Sequence, residues 1–175
     1  ACNFACPYCI EEGVVPRASF MSDNTALTAA EWIFDQARQH EKDGIHITYY
    51  GGEPFLRTRP MLKSASRLKH WCASCGMDFS FTAVTNGSLI NREIIGRLND
   101  LGLKALKITL DGPPTLHDRK RPFRDQNLSG SFETIARNLA QVGDMTFIRI
   151  SCNLAADDDQ NTILDLIDSL SDRNL

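Results

Sequence analysis

Ile45-His46-Ile47-Thr48-Tyr49-Tyr50-Gly51-Gly52-Glu53-Pro54 is the stretch that decides the fold. Six β-branched, aromatic and alternating residues stop at two glycines, an acid and a proline, which is how a strand ends in a tight polar turn. The arrangement returns three times. Phe79–Val84 runs into Thr85-Asn86-Gly87, Ala105–Leu110 into Asp111-Gly112-Pro113-Pro114, and Thr146–Cys152 into Asn153.

Helical stripes fill the intervals. Thr28 and Glu31 spell a capping box ahead of Ala30, Ile33, Phe34 and Ala37, with Gly44 as the stop. Leu62, Ala65, Leu68 and Cys72 share a second face that ends near Gly76. Asn91 caps a third helix carrying Ile94, Ile95, Leu98 and Leu101 and closed by Gly102. Ser131 is expected to cap a fourth, with Ile135, Ala136, Leu139 and Val142. Ile163, Leu164, Ile167 and Leu170 mark a fifth. Strand and helix alternate, so the fold class is α/β with a parallel sheet and helical crossovers. An open doubly wound sheet and a closed or partial barrel both satisfy that order. In either, ligands bind at the carboxyl ends of the strands, where the glycine-rich and polar turns gather.

Composition narrows the classes. A chain of 175 residues suits one domain, and 42% apolar with 23% charged residues argues against disorder. A net charge of −3 counts against a general nucleic-acid binder. No apolar run reaches the roughly 20 residues of a membrane span and no signal peptide opens the chain. A cytoplasmic location is therefore expected, and cysteine spacing is read as metal or redox chemistry before disulfides.

Cys2, Cys6 and Cys9 form C-x3-C-x2-C, Cys72 and Cys75 form C-x2-C, and Cys152 stands alone. Thiolates are soft ligands for zinc and iron–sulfur clusters, and structural zinc takes four ligands. Three cysteines on one short loop, without histidine, suit a cluster with one iron left open to substrate. Cys72 and Cys75 lie three apart on the second helix, where Cys72 continues the apolar stripe and the pair is two ligands short of a metal site, and Cys152 alternates with Ile148 and Ile150, so core packing is the expectation for all three. With only Ala1 ahead of Cys2, the ligand cluster would sit at a raw terminus, so the chain is expected to be a piece of a longer one.

Cys2-Asn3-Phe4-Ala5-Cys6-Pro7-Tyr8-Cys9 resembles the signature of the radical S-adenosylmethionine superfamily. Gly51-Gly52-Glu53-Pro54, Thr85-Asn86-Gly87 and Thr109-Leu110-Asp111-Gly112-Pro113 follow in the order found there. His117-Asp118 with Arg121, then Gly130-Ser131-Phe132, resemble the branch of anaerobic sulfatase maturases and peptide-modifying maturases. The resemblance implies a partial (β/α)6 TIM-like barrel. Residues 1–175 would be a fragment of the radical core domain, with a first strand before Ala1 and, after Leu175, a last β-α unit and a domain of auxiliary clusters.

It also implies roles. Cys2, Cys6 and Cys9 would hold a [4Fe–4S] cluster whose fourth iron chelates S-adenosyl-L-methionine. Reductive cleavage would yield a 5′-deoxyadenosyl radical that abstracts hydrogen from a peptide or protein side chain, with a flavodoxin- or ferredoxin-type electron donor. A small-molecule cofactor precursor is the alternative substrate, and an electron-transfer iron–sulfur protein the alternative class. Gly51 and Gly52 would let the backbone approach the cofactor, Glu53 would accept from its ammonium group and Pro54 would stiffen the exit; an ordinary glycine turn is the plain alternative. Arg121 would pair with the methionine carboxylate, although Arg119, Lys120, Arg121 and Arg124 also read as a solvated basic stretch that could draw in an acidic substrate segment. Thr109 would contact ribose or carboxylate, Tyr8 would pack on adenine, and Asp111 and Asn86 would bind cofactor or brace their own turns.

Overall fold

The computed structural model describes residues 1–11, 19–156 and 158–175. Its elements run α1 (Asp23–Gln39), β1 (Gly44–Tyr49), a single 3-10 turn (Pro54–Arg57), α2 (Thr58–Ser74), β2 (Asp78–Thr85), α3 (Arg92–Leu101), β3 (Leu103–Thr109), α4 (Pro114–Lys120), α5 (Ser131–Val142), β4 (Phe147–Ser151) and α6 (Thr162–Ser171). The four strands are parallel and lie in chain order, β1-β2-β3-β4. A doubly wound sheet reverses its strand order at a switch point. This sheet does not, so the open choice is resolved in favour of a partial TIM-like (β/α) barrel.

The alternation of strand side chains builds the core. Phe81 and Ala83 on β2 and Leu106 and Ile108 on β3 are fully buried, and Ile95, Leu98, Phe132, Ile135 and Leu139 from α3 and α5 close over them. Fully burying one such side chain is worth about 1.5–3 kcal/mol. A second cluster, Ala30, Phe34, Ala37, Ile45, Leu68 and Cys72, joins α1 and α2 to β1. Cys72 is thus the packing residue its stripe implied. Cys75 departs from the packing expectation: it lies just past the helix end, off the buried stripe, and is exposed, while Cys152 packs half-buried against the core.

Two local expectations are corrected, and one helix is added. α1 begins a turn earlier than Thr28, because Ser22 Oγ accepts from Thr25 N–H at 3.0 Å and the buried stripe already includes Ala26. Ser131 is not a cap but the first residue of α5. Gly130, with φ +69°, holds the cap position and offers no side chain, so Asp118 supplies the acceptor from α4, taking Phe132 N–H at 2.8 Å and Ser131 Oγ–H at 2.9 Å. The stretch after Asp111-Gly112 is helical, with Pro114 preset for the first turn.

Because Asp118 caps α5 from another helix, Asp118→Ala removes a tertiary tie together with two hydrogen bonds. Urea unfolding should register a loss of about 1–2 kcal/mol. A change within error would show that Gly130 alone suffices.

Candidate functional site

The cysteine loop is short and has no regular structure of its own, so its shape comes from what it touches. Phe4 is buried, pairs with Phe123 in an isolated antiparallel bridge and meets its ring edge-on at 4.9 Å. Ala5 N–H donates to Pro122 O at 2.9 Å and Arg124 N–H to Asn3 O at 2.8 Å. Cys9 N–H donates to Cys6 O at 3.0 Å, closing a turn between two of the thiols.

On the opposite side lie the turns after β1 and β2. Glu53 N–H donates to Ala1 O at 2.8 Å, and a Cβ on Gly52 would lie 2.3 Å from that oxygen. The close approach that Gly52 permits is therefore to the backbone next to Cys2. Gly51, at φ +151°, has open space where a Cβ would be and faces the cavity. The Glu53 carboxylate is buried and accepts from Phe55 N–H (2.9 Å), Thr85 Oγ–H (2.8 Å) and Asn86 N–H (2.7 Å). Burial pushes its pKa up, while these three donors pull it down. Pro54 opens the 3-10 turn that Glu53 caps. Asn86 carries the tie onward: its Nδ2 donates to Asn3 Oδ1 at 2.8 Å and lies 3.8 Å from Cys2 Sγ, while its Oδ1 accepts from Ser88 N–H and Oγ–H.

The turns after β3 and β4 form a second knot. Asp111 is fully buried. One of its oxygens accepts from Asn153 N–H (2.8 Å) and Nδ2 (3.1 Å), the other from Tyr8 Oη–H. Arg121 Nη1 donates to Tyr8 Oη at 2.5 Å and stands 3.7 Å from Asp111, its guanidinium 5.7 Å above the Phe4 ring. Asp111 thus braces the neighbouring strand's turn. Asn153 was noticed in the sequence only as a residue after a strand; its partner was invisible there because the two lie 42 positions apart.

The basic stretch is corrected as well. Lys120 ends α4 and pairs with Asp158, and only 11% of the Arg121 side chain is exposed. Lys120 and Arg121 are thus neutralised within the fold, while Arg119 and Arg124 of the same run are exposed, so the solvated reading holds for only part of it.

One cavity of about 310 Å³ gathers Cys2, Cys6, Tyr8, Cys9, Gly51, Gly52, Asn86, Thr109 and Arg121, with Lys107 and Ser151 on its wall. Glu53 and Pro54 line an adjoining hollow on the other side of Gly52. The cavity lies at the carboxyl ends of the strands, as the topology requires.

The donor set fits an iron–sulfur cluster. Among the described residues no three His, Cys, Asp or Glu side chains converge to hold a single metal ion, yet three thiols line one cavity. Burial pushes the Cys6 thiol up to about 11, against the pull of Arg121, and also raises Cys2. Thiols so placed ionise readily only beside added positive charge, which iron supplies. Phe4 N–H, 3.4 Å from Cys2 Sγ, and Asn86 Nδ2 are donors placed for a ligating sulfur. Arg121 Nε, buried and without a partner among the described residues, is a donor suited to an acceptor-bearing cofactor such as S-adenosylmethionine.

Comparison with known proteins agrees. The Radical SAM superfamily model matches residues 1–167, and the chain belongs to this superfamily, whose members use a [4Fe–4S] cluster and S-adenosylmethionine. GTP 3′,8-cyclase of Vibrio atlanticus (strain LGP32) is 24% identical over 161 residues, covering 92% of this chain and 44% of its own length. Native anSMEcpe with bound AdoMet superposes with a TM-score of 0.81 at 18% identity, over 99% of this chain and 46% of that one. Streptococcus suis SuiB bound to precursor peptide SuiA gives a TM-score of 0.60 at 17% identity, over 99% and 35%. The chain thus spans less than half the length of these relatives.

Two outcomes follow from the geometry. Gly52→Ala should push Ala1 aside and displace Cys2, reducing stability by roughly 1–3 kcal/mol and lowering iron content after reconstitution; normal iron loading would show that the approach is dispensable. His117 is fully buried, and its Nδ1 accepts from Asp111 N–H at 3.1 Å. Burial foremost, then Arg121, lowers its pKa from 6.5 to about 4. A depressed histidine pKa means the unfolded chain binds the extra proton, so its contribution is full above pH 6.5 and is lost as pH falls toward 4. Denaturation midpoints should drop through that window, by up to about 3 kcal/mol, and His117→Asn should flatten the drop.

Proposed function

We propose that this chain is the cofactor-cleaving core of a radical S-adenosylmethionine enzyme. The observation that carries the reading is the meeting of Cys2, Cys6 and Cys9 with the carboxyl ends of all four strands around one cavity. A [4Fe–4S] cluster with S-adenosylmethionine, given one electron from a flavodoxin- or ferredoxin-type donor, would supply there the radical chemistry for taking hydrogen from a substrate. Around them the chain positions and shields. Cys2, Cys6 and Cys9 would hold the iron as thiolates, and Asn86 and Phe4 N–H are placed to steady the Cys2 sulfur. Arg121, kept in place by Tyr8 and Asp111, offers its charge to the methionine carboxylate. Gly51 gives backbone access, and Glu53 serves by holding the turns together around Asn86. Thr109 faces the same cavity with its hydroxyl, and Tyr8 presents its ring. A cytoplasmic setting, where thiols stay reduced, suits such a site.

Two substrate readings each have support. A peptide or protein side chain is favoured by the maturase-like motifs and by the fold shared with SuiB, a structure bound to a precursor peptide. A small molecule is favoured by the likeness in sequence to a GTP 3′,8-cyclase. The motif evidence for the peptide is weakened by Asp118 and Ser131, which are occupied in building α5.

Anaerobic reconstitution of the full-length protein with iron and sulfide, followed by S-adenosylmethionine and dithionite, should produce 5′-deoxyadenosine. Cys6→Ala should abolish both the cluster spectrum and this product, since two ligands cannot hold a site-differentiated cluster. Product formation at the wild-type rate would refute the assignment. Deuterium carried from a peptide position, or from a small metabolite, into 5′-deoxyadenosine decides between the two substrates.

A further inference from the structure

The face of the sheet turned away from the helices carries charge that neither the fold nor the cofactor site uses. Lys107 on β3 stands in register with Val84 on β2 and with Arg149 on β4. Two residues further along, Thr109 is in register with Ser151, and Lys107, Thr109 and Ser151 all line the cysteine cavity. Side chains alternate along a strand, so Arg149 shares that face, one step below Ser151. Both Lys107 and Arg149 are exposed.

Neighbouring strands lie about 4.8 Å apart, so two cations stand side by side, an arrangement that destabilises a sheet. Nothing among the described residues relieves it. Among the described residues neither makes an ion pair. The only acid in the four strands, Asp78, opens β2 at the far end, and Glu11 on the cavity wall pairs with neither cation. Lys120 and Arg121 nearby, by contrast, each have an aspartate. An oxyanion between Lys107 and Arg149 would turn their repulsion into two charge-assisted contacts. Guanidinium offers a planar fork and ammonium a point charge, and both suit carboxylate or phosphate. The hydroxyls of Thr109 and Ser151 stand one step nearer the cofactor end.

We propose that Lys107 and Arg149 form an oxyanion subsite that grips a carboxylate or phosphate of the substrate below the cysteine-lined cavity. Calling the anion part of the substrate rests on the radical-enzyme reading; the subsite itself does not. Anchoring there would leave the remainder of the substrate at the strand ends, beside the cofactor, where orientation favours hydrogen abstraction.

The test is titration calorimetry on the full-length protein with two probes, inorganic pyrophosphate and an N-acetylated Glu-Glu amide. Wild type should bind at least one, more weakly as salt rises. Lys107→Gln and Arg149→Gln should each weaken binding roughly tenfold, and Lys107→Arg should restore it. The better probe identifies the source, a small phosphorylated metabolite or an acidic peptide. Iron content should match wild type, and thermal melts should hold or rise slightly, because each variant removes one side of the repulsion. Equal affinity in wild type and the double variant, or no saturable binding by wild type, overturns the subsite. 5′-Deoxyadenosine measured in the same preparations separates the two claims: a wild type that binds the anion yet forms none supports the subsite and overturns the radical-enzyme reading.

Discussion

A buried carboxylate organises this end of the molecule. Glu53 sits at the exit of β1 with almost no exposure, and an ionised carboxylate removed from water is tolerated only when its oxygens are filled. Phe55 N–H, Thr85 Oγ–H and Asn86 N–H fill them. That requirement draws the turn after β2 against the turn after β1. Asn86, fixed by it, reaches Asn3 and Cys2. The position of a cysteine at one end of the sequence is thereby set by an acid 51 residues later. Were Glu53 replaced by an apolar residue, three buried donors would be left unpaired, and the cysteine loop would lose its footing along with them.

Asp111 does the same work on the other side. It is buried completely and takes donors from Asn153 and Tyr8, with Arg121 close by. Glu53 and Asp111 together clamp the cysteine loop between the four strand ends, while the apolar layer of Phe81, Leu106, Ile108, Phe132 and Ile135 keeps those ends in fixed register. The division is physical. Apolar burial builds a scaffold without direction, and hydrogen bonds to two buried carboxyl groups give the site its geometry.

That division also explains which substrate arguments survive. The basic run near Arg121 looked in the sequence like a surface that could attract acidic segments, but Lys120 and Arg121 are consumed by Asp158 and Asp111. Lys107 and Arg149 on the sheet face, by contrast, make no ion pair among the described residues.

The sequence by itself determined the α/β class, all four strands to within about two residues, the third helix with its Asn91 and Gly102 caps, and the cysteine loop with the polar turns around it. These are local signals: alternation, capping residues, and ligand spacing along a few positions. Only the tertiary structure decided that the strands follow one another in order without a reversal, which separates a partial barrel from a doubly wound sheet. It also decided that Asp118 caps a distant helix, that Gly52 makes room for Ala1, that Asp111 answers Asn153, and that Lys107 meets Arg149. Each is a pairing between residues far apart in the chain. Periodicity and spacing carry no information about such partners, because packing of the sheet and its helices alone brings them within hydrogen-bond or Coulomb range.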